Sequence, residues 1–232
     1  MSHDDQHRAL REFYDHTYYA GAGESASPTL HLRRLARRTI LRPNTAILDV
    51  ACGVGDWLMA AHQRGASVTG IDISAKAIAV AARRLPDGNF TTGVAESLPY
   101  ADAAFDMVTC LGALEHFPDK PAALHEMRRV LRPGGRILVL VPNAGFLTRR
   151  LGLFSGTEQS AVREDVLSLD AWRALFEKSG LRIERRWRDL HVLSRGWLML
   201  SGWRGMLPRL AQALALAIWP LRWQYQIYHL LA

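Results

Sequence analysis

From residue 46 onward, short apolar runs and amphipathic stretches take turns along the chain. "AILDVA", "SVTGIDI", "FDMVTCLG" and "RILVLVP" are aliphatic and β-branched runs closed by glycine, serine, cysteine or proline, the form of strands buried on both faces. Between them, "DWLMAAHQRG", "SAKAIAVAARRL" and "KPAALHEMRRVL" carry apolar residues at helical spacing. Ser74 is placed to cap the second of these helices, and "RPGG" to stop the third. "NFTTGVA" predicts a short third strand. After a loop from Asn143 to about Glu164 come a helix, "SLDAWRALFEKSG", capped by Ser168, and a sixth strand, "LRIERRWRDLHVL". The alternating "WQYQIYHLL" predicts a seventh strand at an edge. The alternation as a whole predicts an α/β fold: a Rossmann-like, doubly wound, mostly parallel seven-stranded sheet.

Upstream, "HRALREFYDHTYY" and "TLHLRRLARRTIL" predict two helices. The second sets Leu32, Leu35, Ala36 and Thr39/Ile40 on one face and Arg33, Arg34, Arg37 and Arg38 on the other, which suits a helix that covers a sheet. Three regions follow: N-terminal helices over 1–45, a core over 46–193 and an extension over 194–232.

With 232 residues, 49% of them apolar, the chain can bury one sizeable core with additions. Cys52 and Cys110 show neither CxxC nor Cys/His spacing, so the expectation is reduced thiols and no structural metal. The charged start "MSHDDQHRALREFYDH" lacks an apolar signal core, and a cytoplasmic location is expected. The net charge of +7 is uneven: from Arg182 on, eight arginines face Glu184 and Asp189 alone.

Chemistry concentrates in "ILDVACGVGDW". A buried strand ending in Gly53 and Gly55 makes a tight turn that brings backbone N–H groups up to a ligand. Asp72, in "GIDIS", falls about 20 residues on, where a carboxylate can accept both hydroxyls of a ribose. Position 58 is Leu and no third glycine completes a dinucleotide fingerprint, which favours a nucleoside ligand without a pyrophosphate and disfavours an NAD-dependent oxidoreductase.

"LDVACGVGDW", "GIDIS", "AESLPYADAAFDMVTCLGALEHFPD" and "LRPGGRILVLVPN", in that order over roughly residues 46–142, resemble the class I S-adenosylmethionine-dependent methyltransferases with small-molecule acceptors. The resemblance implies S-adenosylmethionine as cofactor, with Asp49, Ala51, Gly53 and Gly55 at its amino-acid end. It further implies Asp72 and Ile73 at the ribose, Ala95 and Glu96 beside the adenine, and Leu111 and Gly112 along the methionine. Members often carry an acidic residue by the adenine amino group where this chain has Val94.

Methyl transfer asks the protein to hold the acceptor in line and exclude water, and a hydroxyl acceptor gains from a base. "GALEHF" puts Glu115 and His116 at the C-terminal edge of the sheet, where open α/β sheets bind ligands. His116 is the leading base; Glu115 either shares the chemistry or orients the turn, and His191, Tyr14, Tyr18 and Tyr19 are alternatives. The expected reaction is O-methylation of a small-molecule, sugar or lipid-linked acceptor. The alternatives are C-methylation of a quinone- or isoprenoid-like precursor and a non-catalytic adaptor that binds the cofactor.

After Asp189 no acidic residue occurs in 43 positions, while Trp197, Trp203, Trp219 and Trp223 stand among Arg195, Arg204, Arg209 and Arg222. This composition suits a segment in a membrane interface, an acceptor lid or a homodimer contact. The interleaving of arginine with apolar residues argues against nucleic acid. Residues 195–222 are therefore the candidate for peripheral membrane contact, at the inner face of the membrane.

Overall fold

The computed structural model describes residues 3–20, 27–39, 42–150, 164–189 and 218–232, together with Met206, Arg209, Leu210 and Leu214. Most of the expected lid or membrane segment 195–222, and His191, lie outside the described residues.

Seven strands make one sheet: β1 Ala46–Val50, β2 Ser67–Asp72, β3 Asn89–Thr92, β4 Phe105–Leu111, β5 Leu131–Pro142, β6 Ile183–Arg188 and β7 Gln226–Leu231. Their order is β3-β2-β1-β4-β5-β7-β6. The first five are parallel, and β7 runs antiparallel to both β5 and β6. The expected edge position of the last strand is therefore corrected: β6 is the edge, and β7 is inserted beside β5. Alternating sequence shows that a strand has two faces, and it says nothing about how many neighbours the strand has. Both faces of β7 are covered, since Ile227, Tyr228 and His229 are all buried in succession.

The helices are α1 His3–Phe13, α2 Leu30–Arg38, α3 Asp56–His62, α4 Ala75–Arg84, α5 Lys120–Val130, α6 Leu147–Arg150 and α7 Leu169–Lys178. Successive strand residues point to opposite faces. Leu48, Val108, Ile137 and Val139 accordingly pack with Leu124, Met127, Trp172 and Phe176 of α5 and α7. Ile47, Met107 and Leu138 pack with Leu35 of α2 and Trp57 and Leu58 of α3. Ser74 Oγ accepts from Ala77 N at 3.1 Å and Ser168 Oγ from Ala171 N at 3.2 Å, so both expected caps form.

Two further boundaries differ from the sequence reading. α5 ends at Val130, but the chain is already in β5 at Leu131, which pairs with Phe105 before the register shifts towards Met107. "RPGG" thus lies inside a bulged strand, where glycine is tolerated. The first N-terminal helix stops at Phe13 and gives way to a π-helical turn, Tyr14–Tyr18, closed by Tyr19 N donating to Tyr14 O at 2.9 Å. α2 docks across the far end of the sheet: His31 Nε2 lies 2.9 Å from the Tyr228 hydroxyl and 3.1 Å from Asp189 Oδ1, and the Arg38 guanidinium sits 4.6 Å over the Trp187 ring.

Candidate active site

The turn that leaves β1 is built from left-handed backbone: Ala51 has φ 61°, Gly53 φ 53° and Gly55 φ 82°. A Cβ on Gly53 would lie 2.6 Å from Tyr19 Oη. Its hydrogen side chain therefore lets the N-terminal segment come down onto the turn. Gly55 is the cap residue of α3. Arg84, at the end of α4, braces the turn from outside, donating to Val54 O and to Asp56 Oδ1, each at 2.6 Å.

Asp72, buried at the end of β2, accepts from Gly53 N at 2.8 Å and from Ser74 N at 2.9 Å, one bond to each carboxylate oxygen. A carboxylate offers about four acceptor positions, so these two bonds do not exhaust it. Burial raises the Asp72 pKa, and backbone hydrogen bonds from Ser74, Gly53 and Ile73 oppose that shift. Asp49 is buried behind the turn: Thr109 Oγ1 donates to Asp49 Oδ1 at 2.5 Å and accepts from Trp57 Nε1 at 3.0 Å. Burial pushes Asp49 up to about 7, against the Thr109 hydrogen bond.

In front of these groups lies a cavity of about 150 Å³ that opens to solvent. Ala51, Asp72, Ile73, Ala95, Glu96, Leu111 and Gly112 line it, together with Val94 and His116. Asp49, Gly53 and Gly55, expected at the cofactor's amino-acid end, are not among the residues that line it. Glu115 belongs to the same short 3₁₀ turn as His116, Leu114–His116, but does not line the cavity. Burial, with the Glu164 charge added and Lys120 opposing, pushes Glu115 up to about 8. Its own backbone hydrogen bond also opposes the rise.

The roof comes from the N-terminus. His7, Leu10, Tyr14, Tyr18 and Tyr19 line the cavity. The π-helical turn gathers the three tyrosines, with centroids 5.5 Å apart for Tyr14–Tyr18 and 4.9 Å for Tyr18–Tyr19. Burial holds the Tyr14 and Tyr19 phenols well above the usual range. Two polar contacts pin this roof. Asp15 Oδ1 accepts from Ser74 Oγ at 2.5 Å, and His7 Nε2 lies 3.2 Å from Glu96 Oε2. Glu96 also accepts from Asp119 N at 3.3 Å. Sequence reading singled out neither His7 nor Asp15, because partners 59 residues apart, as Asp15 and Ser74 are, leave no periodic trace.

A cavity at the C-terminal edge of a sheet of this order, beside a glycine turn and a buried carboxylate, is the arrangement expected of a Rossmann-like class I S-adenosylmethionine-dependent methyltransferase. Residues 48–139 match the family model of a methyltransferase domain, Methyltransf_11. An uncharacterized methyltransferase of Synechocystis sp. is 31% identical over 77% of this chain and 82% of its own length. A 27-O-demethylrifamycin SV methyltransferase of Amycolatopsis mediterranei is 36% identical over 65% of this chain and 59% of its own length. A demethylmenaquinone methyltransferase of Thermotoga maritima is 34% identical over 47% and 56%. The chain thus spans somewhat over half the length of the last two relatives. Among solved structures, the Burkholderia thailandensis 1,6-didemethyltoxoflavin-N1-methyltransferase with S-adenosylhomocysteine bound superposes with a TM-score of 0.66 at 17% identity. That match covers 100% of this chain and 90% of that one, a likeness of fold. The chain belongs to the class I S-adenosylmethionine-dependent methyltransferases, and S-adenosylmethionine is its cofactor.

Proposed function

We propose that the protein transfers a methyl group to a hydroxyl of a small-molecule, sugar or lipid-linked acceptor, with His116 as the base. The observation that carries this reading is that His116, only 7% exposed, lines the same cavity as Asp72, Glu96 and Gly112. When bound, S-adenosylmethionine supplies an electrophilic methyl that needs no activation by the protein. Asp72 then holds the ribose, Gly112 leaves room along the methionine, and the tyrosine roof keeps water out. His116 takes the acceptor proton at a ring nitrogen as the new bond forms. Glu115, off the cavity wall, has no proton-transfer role in this scheme.

His116→Ala is expected to lower kcat by ~100-fold or more, with S-adenosylhomocysteine affinity unchanged in calorimetry. A loss confined to cofactor affinity would overturn the assignment. C-methylation is the second reading, supported by the similarity to the demethylmenaquinone methyltransferase; a carbon nucleophile depends less on a base, so His116→Ala would then keep most of its turnover.

A membrane-presented acceptor is supported by the extension. Met206, Leu210, Leu214 and Ile218 recur every four residues and are 40–81% exposed, on a segment whose formal charges are all positive. Among the described residues, no helix is long and apolar enough to cross a membrane. Cosedimentation with anionic but not zwitterionic liposomes is expected, and equal indifference to both would remove this reading.

A further inference from the structure

A second group of polar side chains meets beside the cofactor cavity, contributed by four separate parts of the chain. Glu115 comes from the turn after β4 and Glu164 from the segment before α7. Tyr225 comes from the residues that lead into β7, and Tyr14 from the N-terminal roof. Tyr225 Oη lies 3.4 Å from Glu164 Oε1, and its ring packs 4.9 Å from Phe146. The charges of Glu115 and Glu164 act on both phenols, Tyr14 and Tyr225. Tyr14 also lines the cofactor cavity, so the two groups share a wall.

The framework that holds this group is explicit. Asp165 N donates to Glu115 O at 3.0 Å, and Ala144 N donates to Leu167 O at 2.9 Å. Asn143 Nδ2 donates to Arg222 O and Gln224 O, and Asn143 N to Tyr225 O. Glu115 Oε2 is fully buried and has no hydrogen-bond partner among the described residues. A buried carboxyl oxygen in this condition is destabilising unless a donor reaches it. Among the described residues, the cations nearby do not supply that donor. Lys120 Nζ is taken by Asp165 Oδ2 at 2.8 Å and Phe117 O at 3.0 Å, and Arg149, whose charge acts on Tyr225, is exposed.

We infer that Glu115, Glu164, Tyr14 and Tyr225 form the acceptor subsite, and that it selects an uncharged, hydroxyl-bearing molecule over an anionic one. This inference rests on the methyltransferase reading above. An alcohol or phenol can donate to a carboxyl oxygen or to the Tyr225 hydroxyl oxygen, whose own hydrogen goes to Glu164, and can accept from the Tyr14 hydroxyl. A carboxylate or phosphate in the same position would meet the Glu164 carboxylate in a poorly solvated space, where charge repulsion is weakly screened.

The test uses the full chain saturated with S-adenosylhomocysteine and two matched pairs of probes. These are 2-naphthol with 3-hydroxy-2-naphthoate, and 4-phenylphenol with 4'-hydroxybiphenyl-4-carboxylate, each titrated calorimetrically at pH 7. The neutral member of at least one pair is expected to bind tenfold or more tighter than its carboxylate. Glu164→Gln should shrink that ratio at least threefold, and Tyr225→Phe should weaken the phenol alone. Both variants should hold S-adenosylhomocysteine within twofold of the parent. Equal affinity within both pairs, a ratio unmoved by Glu164→Gln, or no binding of any probe overturns the subsite. Failure of the parent to bind S-adenosylhomocysteine would instead overturn the methyltransferase reading beneath it.

Discussion

At the scale of single residues, the site depends on carboxylates held out of water. Asp72 accepts from the backbone N–H groups of Gly53 and Ser74, and in the proposed reaction its remaining acceptor positions hold the ribose. Asp72→Asn turns one oxygen into a donor, and S-adenosylhomocysteine affinity should fall by about 10- to 100-fold, as expected for hydrogen bonds to a charged group; unchanged calorimetric affinity would place the ribose elsewhere. Asp49 and Glu115 carry a pH signature. Their folded pKa values, about 7 and about 8, stand above the ordinary carboxylate values. The folded protein therefore binds their protons more tightly than the unfolded chain, and their contribution to stability is lost as pH rises through the folded values. His229, lowered by burial to about 4, has the opposite effect, which is complete by about pH 6.5. Between pH 6.5 and 8.5 the ligand-free protein should thus lose thermal stability. Asp49→Asn should melt higher than the parent at pH 8 and show a shallower decline; parallel curves would mean that Asp49 is not the titrating group.

At the scale of elements, the N-terminal roof is the part that sequence periodicity describes least. α1 has no buried residue, and the roof is held by side chains, with Asp15 on Ser74 and on Lys76 N, His7 against Glu96 and Tyr19 over Gly53. Asp15→Ala should therefore raise amide exchange across residues 3–20 and weaken S-adenosylhomocysteine binding about tenfold, while the melting temperature moves by only a few degrees. Exchange unchanged in that segment would show that apolar packing alone holds the roof. The contrast marks what was legible in the chain. Strands β1, β2 and β4, the helices between them, and the Gly53–Asp72 relation could be read because burial and turn geometry impose local patterns. The π-helical turn could not be read, since one extra residue in a helical turn leaves the composition unchanged. Glu164 and Tyr225 escaped notice because they meet across 61 residues, Tyr225 held by Asn143 and Glu164 by the Asp165–Glu115 backbone bond, contacts that leave no periodic pattern.

For the whole molecule, the insertion of β7 between β5 and β6 makes the last described segment part of the interior. Its Ile227, Tyr228, His229 and Leu231 are buried, and it is the sheet neighbour of β6. Removing residues 226–232 should therefore abolish cooperative unfolding, whereas a terminal strand at a sheet edge could be lost at far smaller cost; a sharp melting transition in the truncated chain would contradict this. The exposed edge instead falls to β6, whose sequence "IERRWR" carries three arginines, and charge on an edge discourages pairing with other chains. The same insertion separates the order of synthesis from the order of assembly. β6 leaves the ribosome before β7, yet it has no native place in the sheet until β7 has settled against β5. Through that interval β5 presents an open, apolar edge next to an unpaired strand. A direct β5–β6 pairing would be a misfolded trap that the later strand must displace. Nascent chains stalled between Arg188 and Gln226 should for that reason be the form of this protein most dependent on chaperones.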